Sequence, residues 1–260
     1  MTKRSNMTMW EHFGELRKRL VYTFIVFLLS TIVGFITAEH VIQYIEQDIA
    51  HHLSLVLIAP TDAFKVYFQF SLIVAFVITF PFLLFQVWSF IKPGLTDRER
   101  KVTLSFIPSA LALFLLGMSF GYFWLFPFVF KFMTEIAIRL GAEEMYGIHQ
   151  FFSFLFTLVF PFGLLFQMPI LILFLTRLEV ITPKLLVTFR KYAYFVLFVI
   201  AAIITPPELL SHLFVTLPLI LLYELSVGLS RVTYKRLQKR KVREQRAEQN
   251  DQIDREQSVK

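Results

Sequence analysis

The sequence of 260 residues contains no cysteine, and this absence excludes several kinds of site. A chain without cysteine forms no disulfide, no thiolate metal centre and no cysteine nucleophile. The sequence also lacks the HExxH, GxSxG and phosphate-loop motifs, so it contains no recognisable catalytic constellation. The six histidines are scattered, and the adjacent pair His51 and His52 is more typical of a solvated surface than of a metal site. We therefore expect no enzymatic activity, no metal and no cofactor.

Apolar residues are plentiful and occur in blocks. They make up 56% of the chain, above the roughly 45–50% of a soluble domain. A membrane-spanning helix needs roughly 20 apolar residues, so four of the six blocks suffice, and the fifth, with about 16, is marginal. The first block is too long for a cleaved signal peptide. The blocks lie at about 20–38, 64–91, 104–130, 151–176, 189–204 and 209–229.

The basic residues indicate how these segments are oriented. Of the 26 Lys and Arg residues, 23 lie in the N-terminus, the second-to-third and fourth-to-fifth connections, and the tail. Because Lys and Arg are retained in cytoplasmic loops, both termini are predicted to be cytoplasmic and the number of spans to be even. If the short fifth segment did not cross, five spans would place the basic tail outside. The even number therefore indicates that this segment is also a span. The net charge of +7 is explained by this placement, so we expect no nucleic-acid partner.

The chain is predicted to form one membrane domain, residues 1–230, followed by a polar cytoplasmic tail, residues 231–260. The tail should first extend the last helix and then become disordered. In the external connection 39–63, apolar residues near helical spacing predict a short amphipathic helix. The external connection 131–150 is predicted to be helical at first. Prolines within the spans predict kinked helices and a curved assembly; they are Pro81, Pro108, Pro161, Pro169 and Pro218.

Two carboxylates lie among basic residues at the predicted cytoplasmic edge. Glu15 is in "HFGELRKRL", and Glu99 is in "FIKPGLTDRERK". One interpretation is a local salt bridge, since Glu15 and Arg19 have i,i+4 spacing. The other is a shared patch for a ligand that carries guanidinium groups, since arginine–carboxylate contacts are bidentate and geometrically specific. Residue patterns alone leave both interpretations open.

Few polar side chains lie within the apolar segments. Glu224, in "LLYELSVGL", is a functional candidate because intramembrane acids are costly to retain. The alternative is a structural hydrogen bond between Glu224 and a neighbouring helix. The other strong polar groups at depth, or beside the short external turn "TPPELLS", are Gln86, Gln167, Thr205, Ser211 and His212.

Six motifs, in order, resemble those of the TatC family, the receptor subunits of the twin-arginine protein translocase. They are "HFGELRKRL", "PFLLFQVWSFIKPGLTDRERK", "LGMSFGYFWLFPFVFKF", "FGLLFQMPI", "RKYAYF" and "ITPPELLSHLFVTLPLILLYELS". The resemblance spans about residues 10–230. It implies an all-α integral protein of the cytoplasmic membrane, with six transmembrane helices in a curved, cup-shaped arrangement. It also implies binding of twin-arginine signal peptides on folded precursor proteins, whose export the proton-motive force drives. The implied partners are TatA-type, possibly TatB-type, and further TatC subunits.

The resemblance also assigns roles to particular residues. The two acids that form the family's twin-arginine site match Glu15 and Glu99, and the basic partner in the first motif matches Arg17. Thr205 and His212 match a polar region that the family uses for partner helices, although His at 212 is not typical. Gln167 occupies a position at which members can carry Glu, and glutamine cannot ionise.

Two other functions of a membrane protein are alternatives to a signal-peptide receptor. A secondary transporter should show repeat symmetry, or helices broken by glycine and proline in corresponding halves; the sequence shows neither. A passive membrane scaffold would not need paired acids among cytoplasmic bases. The sequence therefore favours a signal-peptide receptor and translocase subunit.

Overall fold

The computed structural model describes residues 9–49, 54–92, 104, 106–141, 145–205 and 209–258. Nearly all of these residues are helical. Five of the helices described are long and apolar enough to cross a membrane. They are Phe13–Asp48, Asp62–Ile91, Phe106–Arg139, Ile148–Arg177 and His212–Arg243. The chain divides into two compact units, Met1–Leu164 and Leu165–Lys260.

The described part of the first unit contains five α-helices and one short pair of strands. A π-helical segment, Gly121–Leu125, joins two of the helices. Strand β1, Ser54–Val56, pairs in parallel with β2, Met145–Gly147. The helices are α1 (Met9–Ile49), α2 (Asp62–Ile91), α3 (Phe106–Phe120), α4 (Phe126–Arg139) and α5 (Ile148–Leu165).

Helices α1 and α2 form a close antiparallel pair. A Cβ added at Gly34 would lie 2.4 Å from the carbonyl oxygen of Ser71, so only glycine allows the two backbones to approach this closely. Fifteen residues earlier on α1, Arg19 contacts Gln86, which lies fifteen residues later on α2. The close contact at Gly34 thus fixes which side chains meet at the far end of the pair.

Phenylalanine fills the interior of the first unit. Phe70 meets Phe152 and Phe156 edge to face, with ring centroids 5.1 and 4.5 Å apart. Phe80 stacks on Phe114 at 4.2 Å. Such aromatic pairs add stability beyond the apolar area that they bury. These contacts hold α2 against α3 and α5.

The second unit consists of α6 (Met168–Arg177), α7 (Pro183–Thr188), α8 (Arg190–Ile204) and α9 (Leu209–Ser258). Helix α9 packs against α6, where the fully buried hydroxyls of Thr176 and Ser230 lie 2.7 Å apart. The hydroxyl of Tyr223, on α9, donates to the carbonyl oxygen of Leu186, on α7, at 2.8 Å. These bonds satisfy polar groups that would be costly to bury unpaired.

The structure differs from the sequence expectations at three places. The helix predicted in the external connection is present as far as Ile49, but as the continuation of α1 and not as a separate helix. The short pair β1–β2 was not predicted. Helix α9 continues to Ser258, where we expected disorder beyond the start of the tail. The tail is rich in Lys, Arg, Glu and Gln, and these residues favour helix.

Other expectations are confirmed or narrowed. Residues 131–139 are helical, as predicted. The apolar segment 189–204 forms α8, a helix of 15 residues, which is shorter than the five candidate spans. Pro81 and Pro161 lie inside α2 and α5, whereas Pro169 follows the end of a helix and begins the next.

Candidate functional site

One turn of α1 forms the core of the charged site. Glu15 and Arg19 lie on the same face of the helix because they are four residues apart. The Arg19 Nε donates to Glu15 Oε1 at 3.1 Å, and Arg19 Nη2 donates to the same oxygen. Each side chain is only about one fifth exposed, at 23% for Glu15 and 21% for Arg19. The local salt bridge that the spacing favours is therefore present.

A third side chain, from α2, completes this arrangement. Arg19 Nη1 donates to Gln86 Oε1 at 3.1 Å, which links the two helices. The second carboxylate oxygen, Glu15 Oε2, is buried and receives no hydrogen bond from the residues that the structure describes. A buried charged oxygen without a donor is costly. Glu15 therefore presents one satisfied oxygen and one that a cationic ligand could satisfy.

Positive charge surrounds this carboxylate. Arg17 and Lys18 are exposed on α1. At the end of α2, the Lys92 Nζ lies 5.2 Å from the ring centroid of Trp88. Arg17 is two residues from Glu15, and such residues do not face each other on a helix. The structure thus pairs Glu15 with Arg19 and leaves Arg17 pointing elsewhere. A cationic ligand among these bases would need a second acid.

Glu99, the second acid predicted from the sequence, lies outside the described residues. Its chain position still limits where it can be, because Glu99 follows Lys92, the last described residue of this helix end, by seven residues. Seven residues span at most about 25 Å. The end of α2 lies beside the charged end of α1 through the contact between Arg19 and Gln86. Connectivity is therefore compatible with a site that uses both acids.

An apolar groove runs between α1 and α2 from the charged end inward. Its volume is about 440 Å³. Leu20, which follows Arg19 directly, and Leu83, one turn from Gln86, line its near end. A ligand with a cationic group followed by apolar groups would match this combination of charge and groove.

Glu224 forms a separate polar cluster in the second unit. Arg190 Nη2 donates to Glu224 Oε2 at 2.6 Å, and the Tyr194 hydroxyl donates to Oε1 at 2.5 Å. Both partners lie on α8, and Glu224 lies on α9. The structural alternative, a hydrogen bond to a neighbouring helix, is therefore what the structure contains.

The remaining polar candidates differ in their surroundings. The Thr205 hydroxyl is buried and donates to the carbonyl oxygen of Ala201, one turn earlier, at 2.9 Å. His212 lies edge-on to Phe198, and its Nε2 is buried without a partner among the described residues. Gln167, the residue before α6, is partly buried. The side chain of Ser211 lies outside the part of the chain that the structure describes.

Sequence reasoning did not assign Gln86 to the site, although it identified Gln86 as a strong polar group at depth. No local pattern could have paired Gln86 with Arg19, which is 67 residues away. The only indication in the sequence was that Gln86, like Glu15, lies near the predicted cytoplasmic edge of the membrane.

Comparisons with known proteins agree with one another. The family model described as Sec-independent protein translocase protein (TatC) matches residues 11–218. The chain is 49% identical to the Sec-independent protein translocase protein TatCy of Bacillus subtilis, over 91% of this chain and 94% of that protein. It is 47% identical to the TatC protein of Halalkalibacterium halodurans, over 90% and 93%. A crystal structure of the twin-arginine translocase receptor TatC matches with a TM-score of 0.76 and 35% identity, over 86% of this chain and 99% of that one.

Proposed function

The chain belongs to the TatC family and is a receptor subunit of the Sec-independent, twin-arginine protein translocase, and we propose that Glu15 is one half of its signal-peptide site. Glu99 is the other half, and Arg17 is the basic residue that the family pattern places beside them. The protein is a multi-pass membrane protein of the transport machinery rather than an enzyme.

The observation that carries this assignment is the state of the Glu15 carboxylate. Arg19 satisfies Oε1, while Oε2 is buried and has no donor among the described residues. A guanidinium group is a planar donor, so an arginine of the peptide can supply that missing bond. The second arginine of the pair then needs its own acid among the surrounding bases. Glu99, seven residues after Lys92 in the sequence, is the acid that the family pattern assigns to this role.

The test is the affinity of the purified protein for a signal peptide that carries an arginine pair. Glu15→Ala and Glu99→Ala should each weaken binding by about 1.5–3 kcal/mol, which is roughly tenfold or more, because each removes a charge-assisted hydrogen bond. A peptide with two lysines should bind the unmodified protein more weakly, since an ammonium group is more strongly hydrated than a guanidinium and lacks its planar set of donors.

Glu135→Ala is the matched control, because Glu135 is an exposed acid on a different helix, α4. That variant should bind the peptide with unchanged affinity. Normal binding by the double variant Glu15→Ala, Glu99→Ala would exclude the proposed site.

We propose further that the chain crosses the cytoplasmic membrane six times, with both termini in the cytoplasm. The spans would form a curved, cup-shaped membrane domain, residues 1–230, and residues 231–260 a cytoplasmic tail. The location of 23 of the 26 basic residues on one side supports this orientation. In this topology the short helix α8 is the fifth span.

Partner binding is proposed at the external end of α8 and α9. Thr205, His212 and Gln167 are the candidates for contact with single-span TatA-type or TatB-type subunits, while further TatC copies and the bilayer cover other faces. The buried, unpartnered Nε2 of His212 supports this proposal, because an unpaired polar group in hydrocarbon favours a polar partner from another helix. Thr205 contributes less, since its hydroxyl already bonds its own helix.

A further inference from the structure

Gln86 accepts a hydrogen bond from Arg19, the residue that pairs with Glu15. We infer that Gln86 is a positioning residue of the signal-peptide site: it holds the Arg19 guanidinium so that one oxygen of Glu15 keeps no internal donor and is left for an arginine of the ligand. This inference rests on the proposed role of Glu15. Gln86 itself need not touch the peptide.

The geometry of the pair is the first step. An arginine and a carboxylate commonly meet through two parallel bonds, one to each carboxylate oxygen. Here both donors of Arg19 that face Glu15, Nε and Nη2, go to the single oxygen Oε1. The remaining nitrogen, Nη1, donates to Gln86 Oε1 at 3.1 Å. The guanidinium is therefore held from two sides, and both of its bonds to Glu15 converge on one carboxylate oxygen instead of one on each.

The second step is what this arrangement does for the ligand. Because Arg19 bonds only Oε1, Glu15 Oε2 keeps its acceptor capacity. A new charged hydrogen bond to this buried oxygen would be strong. Without an acceptor at position 86, Nη1 would lose its partner in a half-buried place. Arg19 would then be free to turn and bond both oxygens of Glu15. The internal arginine would compete with the arginine of the peptide for the same carboxylate.

The third step concerns the chemistry of the side chain at 86. An amide oxygen accepts from Arg19 without adding a charge, so it anchors the guanidinium but does not draw it away from Glu15. Gln86 also lies on α2, whose register against α1 is fixed by the close contact of Gly34 with Ser71. The anchor is thus part of the rigid helix pair.

The test measures binding of a twin-arginine peptide to the full-length protein in detergent. Gln86→Met keeps the length of the side chain and removes the acceptor, so it should weaken binding by about tenfold, the effect of losing access to one charged bond. Gln69→Met is the matched control on the same helix, far from the charged end, and should leave binding unchanged.

The decisive experiment compares Gln86→Met in two backgrounds, with Arg19 present and with Arg19→Ala. If Gln86 acts through Arg19, then Gln86→Met should have no further effect, within about twofold, once Arg19 is absent. An equal loss in both backgrounds would overturn the inference, because Gln86 would then act on the peptide directly or on the fold. Thermal unfolding of Gln86→Met should remain cooperative, so that a loss of binding is not a loss of the fold. If Gln86→Met does not fold, Gln86→Asn, whose amide is withdrawn by one methylene, takes its place.

Parallel measurement of Glu15→Ala separates the two hypotheses. Normal peptide binding by Glu15→Ala would refute the proposed site itself. Weak binding by Glu15→Ala together with normal binding by Gln86→Met would leave the site in place and refute the positioning role of Gln86.

Discussion

Single polar residues within the apolar helices differ in how far the chain already satisfies them. The Thr205 hydroxyl bonds its own helix, and Glu224 has two donors from α8. His212, by contrast, keeps a buried Nε2 without a partner among the described residues. The residue that still needs a hydrogen-bond partner is the better candidate for contact with another protein.

We therefore predict that His212 matters more than Thr205 for assembly with a single-span subunit. One interhelical hydrogen bond in a membrane is worth about 0.6–2 kcal/mol, so His212→Leu should reduce association modestly and Thr205→Val less. Since the chain contains no native cysteine, His212→Cys can be crosslinked to cysteines in a TatA-type helix during transport. Leu29→Cys, exposed on α1, is the control for a face outside the predicted contact. Crosslinking from Leu29→Cys but never from His212→Cys would contradict the assignment.

The charged site shows which residue contacts the sequence can predict. Glu15 and Arg19 are four residues apart, so helical geometry alone brings them together. Arg17 was assigned by family resemblance, and its i+2 spacing turns it away from Glu15. The bond from Arg19 to Gln86 depends on the register of two helices, which no local pattern encodes. The sequence therefore predicted the pairing of Glu15 with Arg19 but not the contact of Arg19 with Gln86.

At the scale of helices, the approach of α1 to α2 depends on a missing side chain. A Cβ at Gly34 would lie 2.4 Å from Ser71 O, a backbone atom that cannot move without its helix. Gly34→Ala should therefore separate the two helices and destabilise the protein by about 1–3 kcal/mol, as overpacking does. The measurement is thermal unfolding in detergent.

Gly14→Ala is the matched control on the same helix, because nothing lies within 4 Å of a Cβ at that position. Alanine favours helix over glycine, so this variant should be neutral or slightly stabilising. An equally stable Gly34→Ala would mean that the close contact does not set the spacing of α1 and α2. Loosening this pair should also disturb the contact of Arg19 with Gln86, and so weaken peptide binding.

The sequence predicted where the long helices lie, but it predicted their first and last residues less well. Long apolar blocks predicted every major helix, because hydrophobic composition reports directly on burial or on lipid contact. Helix α1 continues to Ile49 because no proline or glycine interrupts it between residues 35 and 49. The pairing of Ser54–Val56 with Met145–Gly147 joins segments about 90 residues apart and only three residues long, and such short strands leave no periodic signal.

At the scale of the whole molecule, the open question is the number of crossings. Five helices are long enough to span, and α8 has only 15 residues, or about 22 Å against a hydrocarbon core of about 30 Å. Local thinning of the bilayer can relieve such a mismatch. If α8 crosses, the two ends of the chain lie on the same side; if it does not, they lie on opposite sides. Locating the two ends of the chain relative to the membrane therefore also determines whether the number of crossings is odd or even.

We predict six crossings with both ends in the cytoplasm, because the basic residues flank the spans on one side. The variants Lys18→Cys, Leu140→Cys and Lys239→Cys each place a single thiol at an exposed position. A membrane-impermeant maleimide added to right-side-out vesicles should label only Leu140→Cys, which lies after α4 and is 80% exposed. Permeabilised vesicles should allow all three to react, which serves as the accessibility control. Labelling of Lys239→Cys from outside, with Lys18→Cys still protected, would mean that α8 does not cross and that the basic tail is external, against the charge distribution of the entire chain.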